Sequence, residues 1–533
     1  MAIKNTVINI KDFGAIGDGV ADDSLAFRNA ITFVYNNYTN LPNYNGGGNG
    51  NRRAMYQIYI PSGTFKITQA ESMMPSTFTT PIMGVSFVGN GKFATAIDFE
   101  PTVAGSFLLS NNNCFLHLLF RDLSFLANTT NANFMKSTST GAAQNYVFDN
   151  IAWGGTWTYG LQLLGTNNNS EFSWYHSNIN GSWDTFFYIP NSVGRSGDQF
   201  VNYNFYAPNF EVSKGTFINA QYGGSINIWG GSIMYYAGGT GGTFFILGNT
   251  IHNGGAERFM CSGTRIELPN ANCRMIDSTW STGSITFISV DNSSQQFQGI
   301  GVTGGVNSIF RFGSESGATV TFIGCVLQGK HEYRYARGYD RDARATYINC
   351  EFWHYRDAAS FITLVNENGS NFKAGAPLIK FDQCRGMPQT NQNKYIFDTT
   401  LNWNLKKFAT ITKKILRIVS WENELPSQAG GNISEDVWIP IGSVITSVQV
   451  YGYPSSAGGT TSTTPGWVFT LKGSDGTTLI TATPTSNNPS LGMNVTQAQN
   501  FICDTDLKRH LVFAANTTVN AAAKGYCLVE YIG

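Results

Sequence analysis

The chain has 533 residues, more than one ordinary compact domain needs, so several domains or one elongated repetitive domain is expected. Lys+Arg and Asp+Glu both number 34 and only 13% of residues are charged, which gives no electrostatic footing for nucleic acid or an anionic membrane. The 58 glycines, the 14% aromatic content and the many Asn, Ser and Thr suit short strands joined by tight turns. They also suit sugar binding, because aromatic faces stack on pyranose rings while amides and hydroxyls satisfy sugar hydroxyls.

No stretch approaches the roughly 18 consecutive apolar residues of a membrane helix, and the N-terminus lacks a signal-peptide hydrophobic region. A soluble protein is expected, with a route out of the cell that does not use a cleaved signal. The eight cysteines form no C-x-x-C pair and no metal-ligand spacing, so they read as small buried apolar residues, and neither metal nor cofactor is expected.

Near the N-terminus, Asp22-Asp23-Ser24 supplies N-cap chemistry, and Phe27, Ala30, Ile31 and Val34 follow at helical spacing. A short amphipathic helix closing an open end is predicted. Asn43 to Asn51 reads as a glycine-rich loop before a strand over Tyr56 to Ile60.

Beyond this cap a repeat appears, of the form apolar-x-x-(small or apolar)-x-apolar. It runs as Phe120-Arg-Asp-Leu-Ser-Phe125, Phe148-Asp-Asn-Ile-Ala-Trp153, Phe200-Val-Asn-Tyr-Asn-Phe205, Phe322-Ile-Gly-Cys-Val-Leu327, Tyr347-Ile-Asn-Cys-Glu-Phe352 and Phe381-Asp-Gln-Cys-Arg-Gly386. Second strands lie between, such as Thr185 to Ile189, Thr243 to Leu247, Ser308 to Phe312 and Ser360 to Val365. Turns that cannot bury their apolar face alone must stack, which predicts a parallel β-helix. Cys325, Cys350 and Cys384 fall at one repeat position and are predicted to form an interior stack. The repeat weakens from Met260 to Phe297, where Ser281 to Gln296 reads as an inserted hairpin or loop. Past residue 405, strands lengthen and alternate over Ile415 to Val419, Val444 to Tyr451, Gly466 to Leu471, Leu479 to Ala482, Leu511 to Ala515 and Tyr526 to Tyr531, the pattern of an antiparallel sandwich. The predicted organisation is all-β: a cap over 1–55, a right-handed parallel β-helix over 56–405 and a C-terminal antiparallel β-sandwich over 406–533.

The segment from Asp12 to Ile31, with Asp12-Phe-Gly-Ala-Ile-Gly-Asp-Gly19 and Asp22-Asp23, resembles the N-terminal signature of the pectate-lyase-like superfamily. Tyr59-Ile-Pro-Ser-Gly-Thr-Phe65 resembles its second hallmark. Within that superfamily the chain is most similar to bacteriophage tailspike depolymerases, such as those of phages infecting Acinetobacter. The resemblance implies a homotrimer carried on the virion, acting outside the cell on bacterial capsular polysaccharide, with the sandwich serving trimerisation or glycan binding. The signature starts a dozen residues in, so attachment to the phage tail or baseplate is expected through a missing or separate anchor. The clustered Asp-Asp and Gly-His-Gly of polygalacturonases are absent, so their mechanism does not carry over.

Hydrolysis of a glycosidic bond uses two carboxyls, and a solenoid brings acids on successive turns close because neighbouring strands lie about 4.8 Å apart. The central turns offer Glu171, Asp184, Asp198, Glu211, Glu257, Glu267, Asp277 and Asp291. Glu267, at a strand end in Arg265-Ile266-Glu267, is the favoured catalytic acid, with Asp277 and Asp291 as partners. Tyr206, Tyr235, Arg265 and Trp353 are the predicted substrate-binding residues. Turn caps and ion pairs are the structural roles that compete for the same acids. A β-eliminating lyase would use His176, His252, Lys214 or Arg265. The run Lys330 to Arg344 offers Arg334, Arg337 and Arg341 to an acidic glycan, or marks a solvated loop. Trp153, Trp157, Trp174, Trp183 and Trp229 are either sugar platforms or core. Three functions stay open: capsule hydrolase, lyase, and a receptor-binding spike without catalysis.

Overall fold

The computed structural model describes residues 6–38, 43–44, 52–53, 55–140, 143–166, 169–191, 201–222, 224–236, 238–248, 257–269, 272–280, 283–292, 309–312, 318–329, 331–335, 344–352, 362–366, 378–382, 384, 414–420, 432–440, 443–455, 467–482, 493–517 and 522–532. The chain divides into two compact units, Met1–Asp357 with Phe361–Met387, and Ala358–Ser360 with Pro388–Gly533. The expected junction at 405 lies outside the described residues. No described helix is long and apolar enough to cross a membrane.

The predicted cap helix spans Ser24–Asn37 and buries Ala26, Phe27, Ala30, Ile31 and Val34. Its capping differs in detail from the expectation. Asp23 makes no side-chain cap bond to the helix; its carboxylate accepts from the Ile16 and Gly17 amides, at 2.6 and 3.1 Å, and so folds the preceding loop. Asp22 takes the helix end instead, accepting from Ser24 N at 3.0 Å.

Behind the cap, the first unit is a right-handed parallel β-helix. Each turn adds a strand to a 13-stranded sheet and, around a tight corner, one or two stretches to a 16-stranded second sheet. The two stretches form single 12-residue strands in Ala152–Leu163, Asn178–Ile189 and Asn209–Ala220, then separate into Ser232–Tyr235 with Thr243–Leu247 and Arg265–Glu267 with Arg274–Ser278. Register is fixed by inward side chains stacked turn on turn. In the first sheet Phe87, Phe120, Phe148, Trp174 and Phe205 pile up with ring centroids 5.3, 5.2, 5.1 and 4.2 Å apart. A slip of one residue would turn this whole column to solvent.

That column corrects two expectations. Phe205, not Phe200, pairs with Trp174 and continues to Ile228, so the repeat in that turn is Phe205-Tyr-Ala-Pro-Asn-Phe210. Phe200 satisfied the apolar pattern but lies outside the described residues. The segment read as an insertion contains an ordinary rung: Ser284–Ile288 pairs with Arg258–Ser262 on one side and Thr319–Ile323 on the other, with Phe287 stacked on Phe322 at 5.0 Å. The cysteine stack is present. Cys325, Cys350 and Cys384 occupy equivalent corners, and each thiol lies 3.4–3.6 Å from a carbonyl of the preceding turn, on Phe287, Phe322 and Tyr347. All eight cysteines are free.

The corner between the sheets uses one residue in left-handed conformation per turn. Asp122, Asn150, His176, Ala207, Ser289 and Asn349 hold it with φ of 47–57°, and Gly230, Gly263 and Gly324 with φ of 59–66°. From Asp122 to Gly324 each amide there still bonds the carbonyl of the next turn, as Asn150 N does to Tyr175 O at 2.9 Å and Gly230 N to Ser262 O at 2.7 Å. The ladder thus passes the bend unbroken.

The second unit holds two four-stranded antiparallel sheets, in the manner of a sandwich. One orders Lys414–Ser420, Ala522–Ile532, Ser443–Ser455 and Met493–Cys503; the other orders Asn432–Trp438, His510–Thr517, Trp467–Gly473 and Thr478–Ala482. Ile445, Val448, Leu471, Leu511, Phe513 and Val529 belong to its core. Asn432–Trp438 and Met493–Cys503 were not anticipated, because polar residues interrupt their apolar alternation.

One buried titratable group gives the β-helix an acid sensitivity. His331 lies wholly inside, stacked on Phe310 at 4.1 Å and hydrogen-bonded through Nδ1 to the Tyr347 hydroxyl at 2.8 Å. Burial pushes its pKa down to about 3. Because the folded state disfavours the charged ring, stability is full above the unfolded value near 6.5 and falls as pH drops from there toward 3. Between pH 6.5 and 5, the wild-type chain is expected to lose about 2 kcal/mol more than His331→Gln, read from urea midpoints at the two pH values.

Candidate functional site

Arg265–Glu267 is a three-residue strand whose Ile266 points into the core, which forces Arg265 and Glu267 outward. On the next turn Asp291 pairs in register with Arg265, fixed by Ile266 N donating to Asp291 O at 2.7 Å and Asp291 N to Thr264 O at 3.2 Å. The Arg265 guanidinium forms an ion pair with Glu267, the two side chains being 62% and 30% exposed. Arg265, Glu267 and Asp291 thus share a single outward face. Strand spacing and rise put the Glu267 and Asp291 Cα atoms roughly 8 Å apart.

Asp277 does not join them. It sits on the other stretch of the second sheet, in Arg274–Ser278, where Arg274 reaches it at 3.2 Å and Arg311 of the following turn at 2.9 Å. Arg311 is itself in register with Glu332, which is buried. A carboxylate clamped by two guanidiniums has its lone pairs engaged, which suits holding adjacent turns together better than attacking a substrate. This corrects the expectation that Asp277 partners Glu267.

Two of the four predicted binding residues also change place. Tyr235 is core: it is 2% exposed, stacks on Phe244 at 4.1 Å and donates its hydroxyl to Gly215 O at 2.6 Å. Its position in Ser232–Tyr235 has inward parity, so it cannot face a glycan. Tyr206 does face outward, but from the first sheet, stacked on Tyr175 at 4.8 Å and in register with Trp229. Trp353 lies outside the described residues, as do Asp198, His252, Arg337 and Arg341.

The remaining candidates resolve as structure. Asp184 pairs with Lys214 at 3.3 Å on the exposed surface, Glu257 is buried, and Glu171 and His176 occupy left-handed turn positions. Glu211 points outward in register with Met234, which is itself in register with Glu267, so the two acids stand two turns apart. Trp153, Trp157, Trp174 and Trp183 are core, while Trp229 is 42% exposed. A carboxylate pair that sequence inspection passed over lies near the cap, in Thr95-Ala-Ile-Asp-Phe-Glu100. Burial raises the Asp98 pKa and the nearby Glu100 charge adds to it, while Lys66 pairs with Glu100 at 2.8 Å. Its signal was the acid-x-acid spacing on one strand face. Among the described residues no three His, Cys, Asp or Glu side chains converge to hold a metal ion.

A parallel solenoid with its polar groups carried on sheet faces and corners defines the class. Residues 7–241, less than half of the chain, match the family model for rhamnogalacturonase A/epimerase, pectate lyase-like. A stretch of 89 residues is 34% identical to the mannuronan C5-epimerase AlgE2 of Azotobacter vinelandii, covering 17% of this chain and 7% of the epimerase. The match thus spans a small part of that relative's length. Among solved structures, a mutant tailspike protein of E. coli bacteriophage HK620 in complex with pentasaccharide aligns over 98% of this chain and 93% of its own, at 12% identity and TM-score 0.40. The Acinetobacter phage vB_ApiP_P1 tailspike protein aligns over 98% and 89%, at 13% identity and TM-score 0.36.

Removing the clamp on Arg274 and Arg311 leaves two half-buried cations facing each other. Asp277→Asn is therefore expected to destabilise the chain by about 2 kcal/mol, measured as a lowered urea midpoint.

Proposed function

We propose that the chain is a phage tailspike that binds a bacterial capsular polysaccharide along its β-helix and cleaves it by glycosidic bond hydrolysis. The observation that carries the catalytic part is the placement of Glu267 and Asp291 on adjacent turns, with Arg265 ion-paired to Glu267 and in register with Asp291. A separation of roughly 8 Å between their Cα atoms is compatible with the 6.5–9.5 Å between carboxyls in inverting enzymes, where one acid protonates the leaving oxygen and the other activates water. Arg265 orients Glu267 and offers a donor to the substrate. The pectate lyase-like match over 7–241 and the low charge support a polysaccharide partner. Assembly as a homotrimer, location on the virion and a separate anchor to the tail belong to the same proposal.

The stretch shared with a mannuronan C5-epimerase favours a second reading, in which a base removes the proton beside a uronate carboxylate and β-elimination follows. Incubation with capsular polysaccharides from a panel of encapsulated strains separates the readings. Hydrolysis adds one water per cut without absorbance near 235 nm, elimination gives unsaturated products that absorb there, and bound but intact glycan marks a receptor-binding spike. On the hydrolase reading, Glu267→Gln and Asp291→Asn each lower kcat by roughly 10²–10⁴-fold while glycan binding persists. Full activity in either variant would remove that residue from the mechanism.

A further inference from the structure

The corner beside the proposed carboxylates changes character over three turns. Along the helix the left-handed position is held in order by Asp122, Asn150, His176, Ala207, Gly230, Gly263, Ser289, Gly324 and Asn349. The backbone conformation therefore does not demand glycine, since Asn, Asp, His and Ser adopt it on other turns. A Cβ added at Gly230 or Gly263 would meet no atom within 4 Å. Neighbouring Gly231 differs, because a Cβ there would collide with the Pro208 carbonyl. Bare surface at 230 and 263 is thus a property of the exterior and not of the packing.

Aromatic rings rise on one side of this bare strip. Tyr175, Tyr206 and Trp229 occupy one outward column on consecutive turns, ending in register at Ser262. The Tyr175 and Tyr206 rings are parallel within 2° with centroids 4.8 Å apart, wider than the face-to-face contact of about 3.5 Å, so they overlap with an offset that leaves part of each face open. Trp229 is 42% exposed. On the other side stand Asn209, Ser232 and Arg265, in register on the same turns, with the Ser232 hydroxyl buried beneath the surface. The row from Tyr175 to Ser262 is uncharged and amide-flanked, with Asn227 Nδ2 donating to Asn204 Oδ1 at 3.0 Å in the adjacent column.

We propose that Ala207, Gly230 and Gly263 form the floor of a shallow channel that seats a polysaccharide chain running along the helix axis. The inference rests on the assignment of Glu267 and Asp291 as the reacting carboxylates and adds the path by which polymer reaches them. Sugar rings lie against Tyr206 and Trp229, hydroxyls meet Asn209, and the chain passes Ser232 to arrive at Arg265. Aromatic wall, side-chain-free floor and amide wall are the recognition chemistry of an uncharged or weakly charged glycan segment.

The test fills the floor without disturbing the backbone. In the full chain carrying Glu267→Gln to prevent cleavage, Gly230→Asn and Gly263→Asn place a side chain that the corner already tolerates at Asn150 and Asn349. The probe is the capsular polysaccharide that the wild-type chain cleaves or retains from the panel, followed by affinity electrophoresis. Each substitution is expected to raise Kd roughly tenfold with the melting temperature unchanged, and Trp229→Ala to do the same from the wall. Unchanged Kd in all three, while the wild-type chain still cleaves the glycan, refutes the channel and leaves the carboxylate assignment standing. A weakened Kd accompanied by a changed sedimentation coefficient also refutes it, since the strip would then lie between copies of the chain. Failure of the wild-type chain to bind any panel glycan overturns both.

Discussion

Every feature of the β-helix depends on one constraint: no turn can bury its apolar face alone, so each must lie in register on the next. The register is enforced twice, by the parallel backbone ladder and by the inward pile of Phe87, Phe120, Phe148, Trp174 and Phe205. Because the ladder passes the corner through left-handed residues, two outward columns are carried at constant spacing on either side of the bend. The outer surface is in effect a ruled sheet on which any residue has a calculable neighbour one turn away. Function on such a scaffold is a matter of what is written in each outward column, and the scaffold itself carries no chemistry.

This accounts for why the predicted acids separate. Glu267 and Asp277 are ten residues apart in sequence, yet they stand on different stretches of the second sheet. Asp291 is more distant in sequence but one turn away in space, opposite Arg265. The two ionic groups differ in kind. Arg274, Asp277 and Arg311 form a partly buried clamp whose removal is felt as stability, whereas Arg265 and Glu267 are accessible enough to meet a polymer.

Much of the fold was legible because the repeat is written in residue size. Large inward residues at Phe120, Phe148, Phe322 and Tyr347, with a small or apolar residue three places on, announced stacked turns and the cysteine column. Legibility failed where different residue types fill one position: Ile228 and Cys261 occupy the same inward site as Trp174, and nothing in their chemistry says so. In one turn the apolar pattern was matched at Phe200, whereas Phe205 is the residue that pairs with Trp174. The site was less legible still. Tyr235 and Tyr206 look alike in sequence, and only strand parity sends one ring into the core and the other outward. Gly230 and Gly231 look identical, and only the neighbouring turn distinguishes the glycine that packing requires from the one that leaves the exterior bare.

On the proposed reading, polymer lies along the bare corner and the bond that breaks is presented between Glu267 and Asp291. The most direct measurement is a crystal structure of the Glu267→Gln chain with a bound oligosaccharide of its cognate capsule. Sugar density over Ala207, Gly230 and Gly263, with a glycosidic oxygen between the amide introduced at position 267 and the Asp291 carboxylate, is the result predicted. Density seated instead over Asp277, Arg311 and Glu332 would contradict the account and move the chemistry to the other stretch of the second sheet.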